Sequence, residues 1–193
     1  KPKKRTRATI AVEKGLKPLA EVILSGEFTG NIEEYAKEFI NEEKEVMTSD
    51  DALNGAKDIV AEAISDEAEY RKWIREYVRK NGVIECSGSS DEPTPYEMYY
   101  EYSEAVSKIP SHRILAINRG EKEKILSVKV VCDTDKIIDY LNKKSKKDNE
   151  ITDKFIEESV EDSLKRLIYP SIEREIRAER SEERRVGKEC PRC

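Results

Sequence analysis

The stretch TSDDALNGAKDIVAEAISD, residues 48–66, decides the fold class of this chain. Its first four residues are typical of a helix start, because short polar side chains can bond the free backbone amides of a first turn. Apolar residues then recur at the three- and four-residue spacing of a helix, and they are Leu53, Ala56, Ile59, Val60, Ala63 and Ile64. The stretch therefore predicts a long helix with one buried face.

Helical spacing continues on both sides of this stretch. Upstream, a short helix over residues 6–14 should end at Gly15, and a second helix should begin near Pro18. The two are compatible with a helix-turn-helix unit, although an ordinary helical hairpin is the favoured interpretation. Downstream, residues 65–82 predict another helix, whose aromatic side chains we interpret as core.

Residues 87–95 contain Gly, Ser, Asp and Pro but no long apolar residue, which indicates a loop. Beyond it, Tyr99, Tyr102 and Val106 have helical spacing. Tyrosines this close together can stack on bases, but their spacing favours a helix with an aromatic core.

The rest of the chain predicts further helices and one strand. Ser111 should cap a helix that runs from residue 112 to about residue 118 and is broken by Gly120. Residues 125–132 alternate apolar and polar side chains, as a strand does. A last helix should start at residue 152 or 153 and kink at Pro170.

We therefore predict a mainly α fold. It is an irregular multi-helix array with helix-turn-helix-like units and at most one minor β element near residues 125–132. The predicted domain organisation is a helical block over 1–86 with a basic N-terminal segment, a loop over 87–95, a second helical block over 96–179 and a non-native tail over 180–193.

Composition excludes several classes of protein. The 193 residues are 40% charged and 37% hydrophobic, too apolar for a disordered chain and too polar for a membrane protein. No apolar run approaches the ~18–20 residues of a spanning helix. Residue 1 is lysine and no apolar signal region follows it, so we expect a chain that lacks its true start, has no signal peptide, is cytoplasmic and has no membrane partner.

Charge restricts any nucleic-acid contact to a local part of the chain. The net charge is −5, whereas phosphate binding needs a basic face. The candidate nucleic-acid-binding residues lie at the start, and they are Lys1, Lys3, Lys4, Arg5 and Arg7. A solvated loop is an equally weighted interpretation of this segment.

Motifs for catalysis and cofactors are absent from the sequence. There is no phosphate-binding glycine loop and no nucleophile elbow. His112 is the one histidine, and it follows Ser111 directly, so the two point to different faces of a helix and form no nucleophile–base pair. Cys190 and Cys193 are half of a zinc-ribbon or redox motif, and a zinc site would need a second ligand pair. We predict no enzyme, no cofactor and no metal site, and a structural role for His112 beside the Ser111 cap.

Four short blocks lie at residues 1–20, 51–59, 109–121 and 164–177. In sequence and in order they resemble the Tex family of bacterial transcription accessory proteins. The third block is the most specific, and its structural motif residues are Pro110, Ser111, His112, Arg113, Arg119 and Gly120. The resemblance extends from residue 1 to about residue 179.

The resemblance implies both a function and what this chain lacks. Family members have a long helical N-terminal region followed by an RNase H-like domain, helix-hairpin-helix motifs and an S1 domain. This chain is similar to the later part of the helical region alone. The resemblance thus implies a non-catalytic fragment of a protein that binds RNA or DNA and contacts the transcription machinery. The alternative is a helical scaffold that packs the RNase H-like and S1 domains and binds proteins.

The C-terminal tail has a different resemblance. Residues 180–190 resemble the translation of a common sequencing adapter. We therefore expect the last 14 residues to be non-native and the two cysteines at 190 and 193 to be accidental.

Overall fold

The computed structural model describes residue 2 and residues 4–186, with side chains as far as residue 182. The predicted fold class is confirmed, since the chain is mainly α with one small antiparallel sheet. Within the described range, no helix is both long and apolar enough to cross a membrane. The predictions for Cys190 and Cys193 lie outside the described residues.

The helices are α1 Arg7–Glu13, α2 Lys17–Ser25, α3 Ile32–Ala36, α4 Ser49–Asp66, α5 Ala68–Asn81, α6 Ser111–Lys122, α7 Thr134–Ser145, α8 Glu150–Asp162 and α9 Tyr169–Val186. The strands are β1 Val83–Gly88, β2 Glu101–Ala105 and β3 Leu126–Val131. A π-helical segment, Ser163–Ile168, follows α8. Short 3-10 turns lie at Lys37–Phe39, Glu42–Lys44 and Glu97–Tyr99.

The chain forms two compact units, and each combines two separate stretches of sequence. The first unit contains Lys1–Tyr70 and Asp135–Ile168, and the second begins with Arg71–Thr134 and continues from Tyr169. This division reflects contacts within the folded chain and does not show which parts fold independently. The predicted domain boundaries around residues 87–95 therefore stay a prediction.

Helix α4 is the centre of the first unit. The Thr48 side chain accepts from the Asp51 amide, and the Asp51 carboxylate accepts from the Thr48 amide, so both ends of a capping box are present. Helices α1, α2, α3 and α8 pack against α4. Their close approach needs small residues, because a Cβ on Gly55 would lie 2.3 Å from the Leu16 Cδ1 atom.

Asn149 joins two separate parts of the first unit. Its side-chain oxygen accepts from the Ile151 amide and caps α8, so this helix starts earlier than the predicted residue 152 or 153. Its side-chain nitrogen donates to the carbonyls of Gly26 and Phe28, both at 2.9 Å. One side chain thus fixes the helix start and the turn after α2.

The second unit contains a three-stranded sheet in the order β2-β1-β3. The predicted strand at residues 125–132 is confirmed as β3, but it pairs with β1, which also pairs with β2. The predicted helix through Tyr102 and Val106 is wrong, because β1 offers this segment a backbone partner and it forms β2 instead. Tyr99 is nevertheless buried, as expected of core.

Two side chains of α9 bond the outer edge of β3. Tyr169 donates to the Val130 carbonyl, and the Glu173 carboxylate accepts from the Val130 amide. Burial raises the pKa of Glu173, while the hydrogen bond from the Val130 amide and the positive charge of Arg177 oppose that rise. Because these bonds occupy backbone groups at the strand edge, α9 protects β3 from pairing with another chain.

Helix α6 continues through Gly120 to Lys122, so the prediction that this glycine breaks the helix is wrong. A Cβ at this position would lie 2.5 Å from the Leu126 Cδ1 atom and 3.1 Å from the Tyr96 ring. The glycine is therefore needed for the close packing of α6 on β3 rather than for a helix end.

We expect Gly120→Ala to lower the free energy of unfolding by about 1–3 kcal/mol, because the added methyl group overpacks the contact with Leu126. Urea denaturation followed by circular dichroism measures the change. Lys122→Ala, at an exposed position of the same helix, is the control and should change stability by less than about 0.5 kcal/mol. Equal stability of Gly120→Ala and the wild type would contradict the packing role.

The capping box gives a second prediction. We expect Thr48→Ala to destabilise the chain by about 0.5–2 kcal/mol, whereas Thr48→Ser keeps the hydroxyl acceptor for the Asp51 amide and most of the stability. Thermal unfolding of both variants compares them. An alanine variant as stable as the serine variant would show that the cap contributes nothing.

Candidate nucleic-acid interface

The basic N-terminal segment runs directly into α1. Lys4, Arg5 and Arg7 are exposed, and Arg7 is the first residue of the helix. The other two candidate residues, Lys1 and Lys3, lie outside the described residues. The structure therefore places three of the five candidates beside one another at one helix end.

Thr6 fixes this segment to the first unit. Its hydroxyl accepts from the Thr9 amide at 3.1 Å, which caps α1, and donates to the Glu62 carboxylate at 2.8 Å. Ala8 and Ala11 are buried on the same helix, which packs on α4. The start of α1 is thus held by a cap, a bond to α4 and a small apolar face.

Carboxylates lie close to two of the three described basic residues. Arg5 forms an ion pair with Glu13 at 2.5 Å, although 66% of the Arg5 side chain stays exposed. Asp58 and Asp162 both lie close enough to Arg7 for its positive charge to favour their ionised forms. The positive potential of the segment is therefore weaker than its sequence indicates.

The two carboxylates near Arg7 differ in their surroundings. Arg166 donates to Asp162 at 2.8 and 3.1 Å, and this hydrogen bonding lowers the pKa of Asp162. Burial instead raises the pKa of Asp58, although the charge of Arg166 opposes the rise. The negative charges of Asp58 and Asp162 near Arg7 and Arg166 offset the positive charges of these arginines and repel a phosphate.

The motif at residues 110–120 shapes α6. Pro110 is at the N-cap position, where no side chain caps the helix, and Ser111 is the first helical residue. The expectation that Ser111 caps α6 is therefore wrong, because the fixed proline backbone ends the preceding segment instead. His112 and Arg119 are exposed, so the expected packing of His112 beside a Ser111 cap is wrong.

Arg113 connects α6 to β2. Its Nη1 atom donates to the Tyr102 hydroxyl at 2.9 Å and to the Glu104 carboxylate at 3.3 Å. The Tyr102 hydroxyl also donates to Glu104, and the guanidinium lies 5.8 Å from the Tyr102 ring centroid. Sequence reasoning could not find these partners, because helical spacing places Tyr102 in a helix core.

Arg177 connects α9 to α6 in a similar way. It donates to the Asn118 side chain at 2.8 Å. It also donates two hydrogen bonds to the Glu121 carboxylate, one of them at 3.1 Å. Glu121 and Arg177 belong to the two later blocks that resemble the Tex family. Two residues 56 positions apart, one in each block, thus form one ion pair.

The titratable side chains outside these contacts form no metal centre in the described part of the chain. Among residues 2 and 4–186, no group of three or more histidine, cysteine or acidic side chains is arranged to hold a metal ion. Burial raises the pKa of the Cys86 thiol to about 11, so it is not a reactive thiolate at neutral pH. The motif residues Arg113 and Gly120 pack and connect elements rather than face an open site.

The chain is similar to proteins of one family. A family model described as Tex central region-like matches residues 28–184. Uncharacterized protein YdcI of Bacillus subtilis is 48% identical over 187 residues, which cover 94% of this chain. Transcriptional accessory protein Tex of Neisseria gonorrhoeae is 35% identical over 66% of this chain. The human S1 RNA-binding domain-containing protein 1 is 30% identical over 91%.

This chain spans only a part of each relative. The matched regions are 26%, 17% and 19% of the lengths of the Bacillus, Neisseria and human proteins. The family model covers more than half of this chain, and the predicted resemblance is confirmed. The chain belongs to the Tex family, and the region that it matches is the family's central region.

Proposed function

We propose that this chain is the central part of a transcription accessory protein, that it acts without catalysis, and that the whole protein binds RNA or DNA. The match of residues 28–184 to the Tex central region supports the proposal most strongly. The names of the Neisseria and human relatives agree with it, since they refer to transcription and to RNA binding. We also propose the transcription machinery as a partner and the cytoplasm as the location.

The contribution of this chain to nucleic-acid binding would lie at its N-terminal end. Lys4, Arg5 and Arg7 lie at one end of α1, and Lys1 and Lys3 are the other two candidate residues in the sequence. Helices α1 and α2, joined through Gly15, form the helix-turn-helix-like unit of this proposal. Phosphates would replace the exposed Glu13 as the partner of Arg5.

A second candidate function is a scaffold that packs the RNase H-like and S1 domains of the whole protein and binds other proteins. The contacts of Arg113, Gly120 and Arg177 support it, because these residues of the two later Tex-like blocks hold elements together. In this proposal the helical blocks at 1–86 and 96–179 are the packing domains, joined by 87–95.

We expect the combined variant Lys4→Gln, Arg5→Gln and Arg7→Gln to weaken RNA binding and to reduce its salt dependence. The slope of log K against log salt is negative. For a single strand, each phosphate that is no longer neutralised reduces its magnitude by about 0.7. Fluorescence anisotropy of a labelled oligonucleotide over a series of KCl concentrations measures both quantities.

The matched control is Lys72→Gln, Lys80→Gln and Lys122→Gln, which removes the same charge from exposed positions outside α1 and α2. Its salt slope should equal that of the wild type. If the N-terminal variant keeps the wild-type affinity and slope, the scaffold function is favoured over direct phosphate binding.

His112 tests the non-catalytic part of the proposal. Because its side chain is exposed, His112→Ala should change the free energy of unfolding by less than about 0.5 kcal/mol. Thermal unfolding measures this change, and RNA hydrolysis assays of both proteins should show the same background rate. A hydrolytic activity that the wild type has and the variant lacks would overturn the non-catalytic assignment.

A further inference from the structure

Helix α7 in the first unit carries a basic and aromatic strip that takes no part in the sites above. Lys136, Tyr140, Lys143 and Lys144 are spaced so that their side chains lie along one side of the helix. The three lysines are exposed and Tyr140 is half-buried. The buried residues Ile137, Leu141 and Ser145 lie along another side, which faces the core.

Aromatic contacts hold Tyr140 in place within this strip. Tyr70 of α5 meets it edge to face, with ring centroids 6.1 Å apart and an interplanar angle of 89°. The Lys144 ammonium lies 5.9 Å from the centroid of the Tyr140 ring. A fixed aromatic ring beside an ammonium group can offer a base a stacking surface and its phosphates a positive charge.

The charges of the strip are available to a ligand. Lys136 and Lys143 form no ion pair within the described part of the chain. Lys144 pairs with Glu69 at 3.5 Å, but 43% of the lysine side chain and 66% of the glutamate side chain are exposed. Because water screens such a pair, a phosphate can replace Glu69 at little cost.

We propose that this α7 strip, formed by Lys136, Tyr140, Lys143 and Lys144 with Tyr70, binds single-stranded RNA. One base stacks on Tyr140, and the lysines contact the phosphates on either side of it. A single strand fits better than a duplex because only an unpaired base can stack on a side chain. The proposal rests on the nucleic-acid function above and adds a second binding surface in this chain.

The stacking part is tested with two variants of one residue in the 193-residue chain. Tyr140→Phe keeps the ring and should bind a fluorescein-labelled oligouridine as the wild type does. Tyr140→Leu keeps apolar volume without a ring and should raise the Kd roughly fivefold or more. Circular dichroism melting of both variants confirms that they fold. Equal binding by folded Phe and Leu variants would overturn the stacking role.

The charge part is tested by salt dependence. The double variant Lys136→Gln and Lys143→Gln should reduce the magnitude of the salt slope by about 1.4, which corresponds to two phosphates. Lys37→Gln with Lys165→Gln removes the same charge from exposed positions of the same unit and should leave the slope unchanged. Glu69→Gln should tighten binding, since it removes the carboxylate that competes for Lys144. This gain of function does not depend on a variant that loses stability.

The outcomes separate this proposal from the general one. One outcome is that the wild-type chain binds RNA and that Tyr140→Leu, the double lysine variant and Glu69→Gln all bind it equally well. The proposed RNA binding by the α7 strip is then overturned, and the N-terminal surface stands. If the control pair weakens binding as much as the strip pair, the interaction is general charge attraction and the strip is also overturned. If the wild type binds no RNA at any salt concentration, both nucleic-acid proposals fall.

Discussion

The second unit depends on the polar contacts of one helix, α9. Arg71, Arg75 and Arg79 of α5 bond Ser171, Glu175 and Glu179 of α9, so the partners recur every four residues on both helices. Arg177 reaches α6 and Tyr169 reaches β3 from the same helix. Single exposed ion pairs contribute little to stability. A series at matched spacing on two helices instead fixes their register, because a shift by one residue breaks every pair together.

The first unit is held by the opposite kind of interaction. Helix α4 has small apolar residues along its buried face, including Ala52, Ala56 and Ala61. Small side chains let the neighbouring helices approach one axis closely, and they leave few polar groups to satisfy. The buried Ser163 hydroxyl has a partner of its own, since it donates to the Ala61 carbonyl at 2.7 Å. That bond also joins α4 to the π-helical segment.

Sequence periodicity predicted the helices because each has one buried face. It failed where the same residues fit both the spacing of a helix and the alternation of a strand. Tyr99 and Tyr102 are three residues apart, which suits a helix, but Tyr102 also alternates with exposed residues of β2. Strand pairing is non-local, so no pattern within residues 96–106 could show that β1 lies beside them. The same limit applies to Gly120, since the contact that requires a glycine comes from Leu126 on another element.

At the basic N-terminal segment, too, the sequence and the folded structure give different information. Composition located the basic N-terminal segment, but only the fold shows that Arg5 has Glu13 at 2.5 Å and that Arg7 lies near Asp58 and Asp162. In an acidic chain, phosphate attraction depends on the charges within about one Debye length, ~10 Å at 0.1 M salt. In the proposed α7 strip, the Lys144–Glu69 ion pair is longer, at 3.5 Å, and the ring of Tyr140 lies beside the lysine. The density of basic residues in a sequence is therefore a weaker guide to phosphate binding than the carboxylates that the fold places beside them.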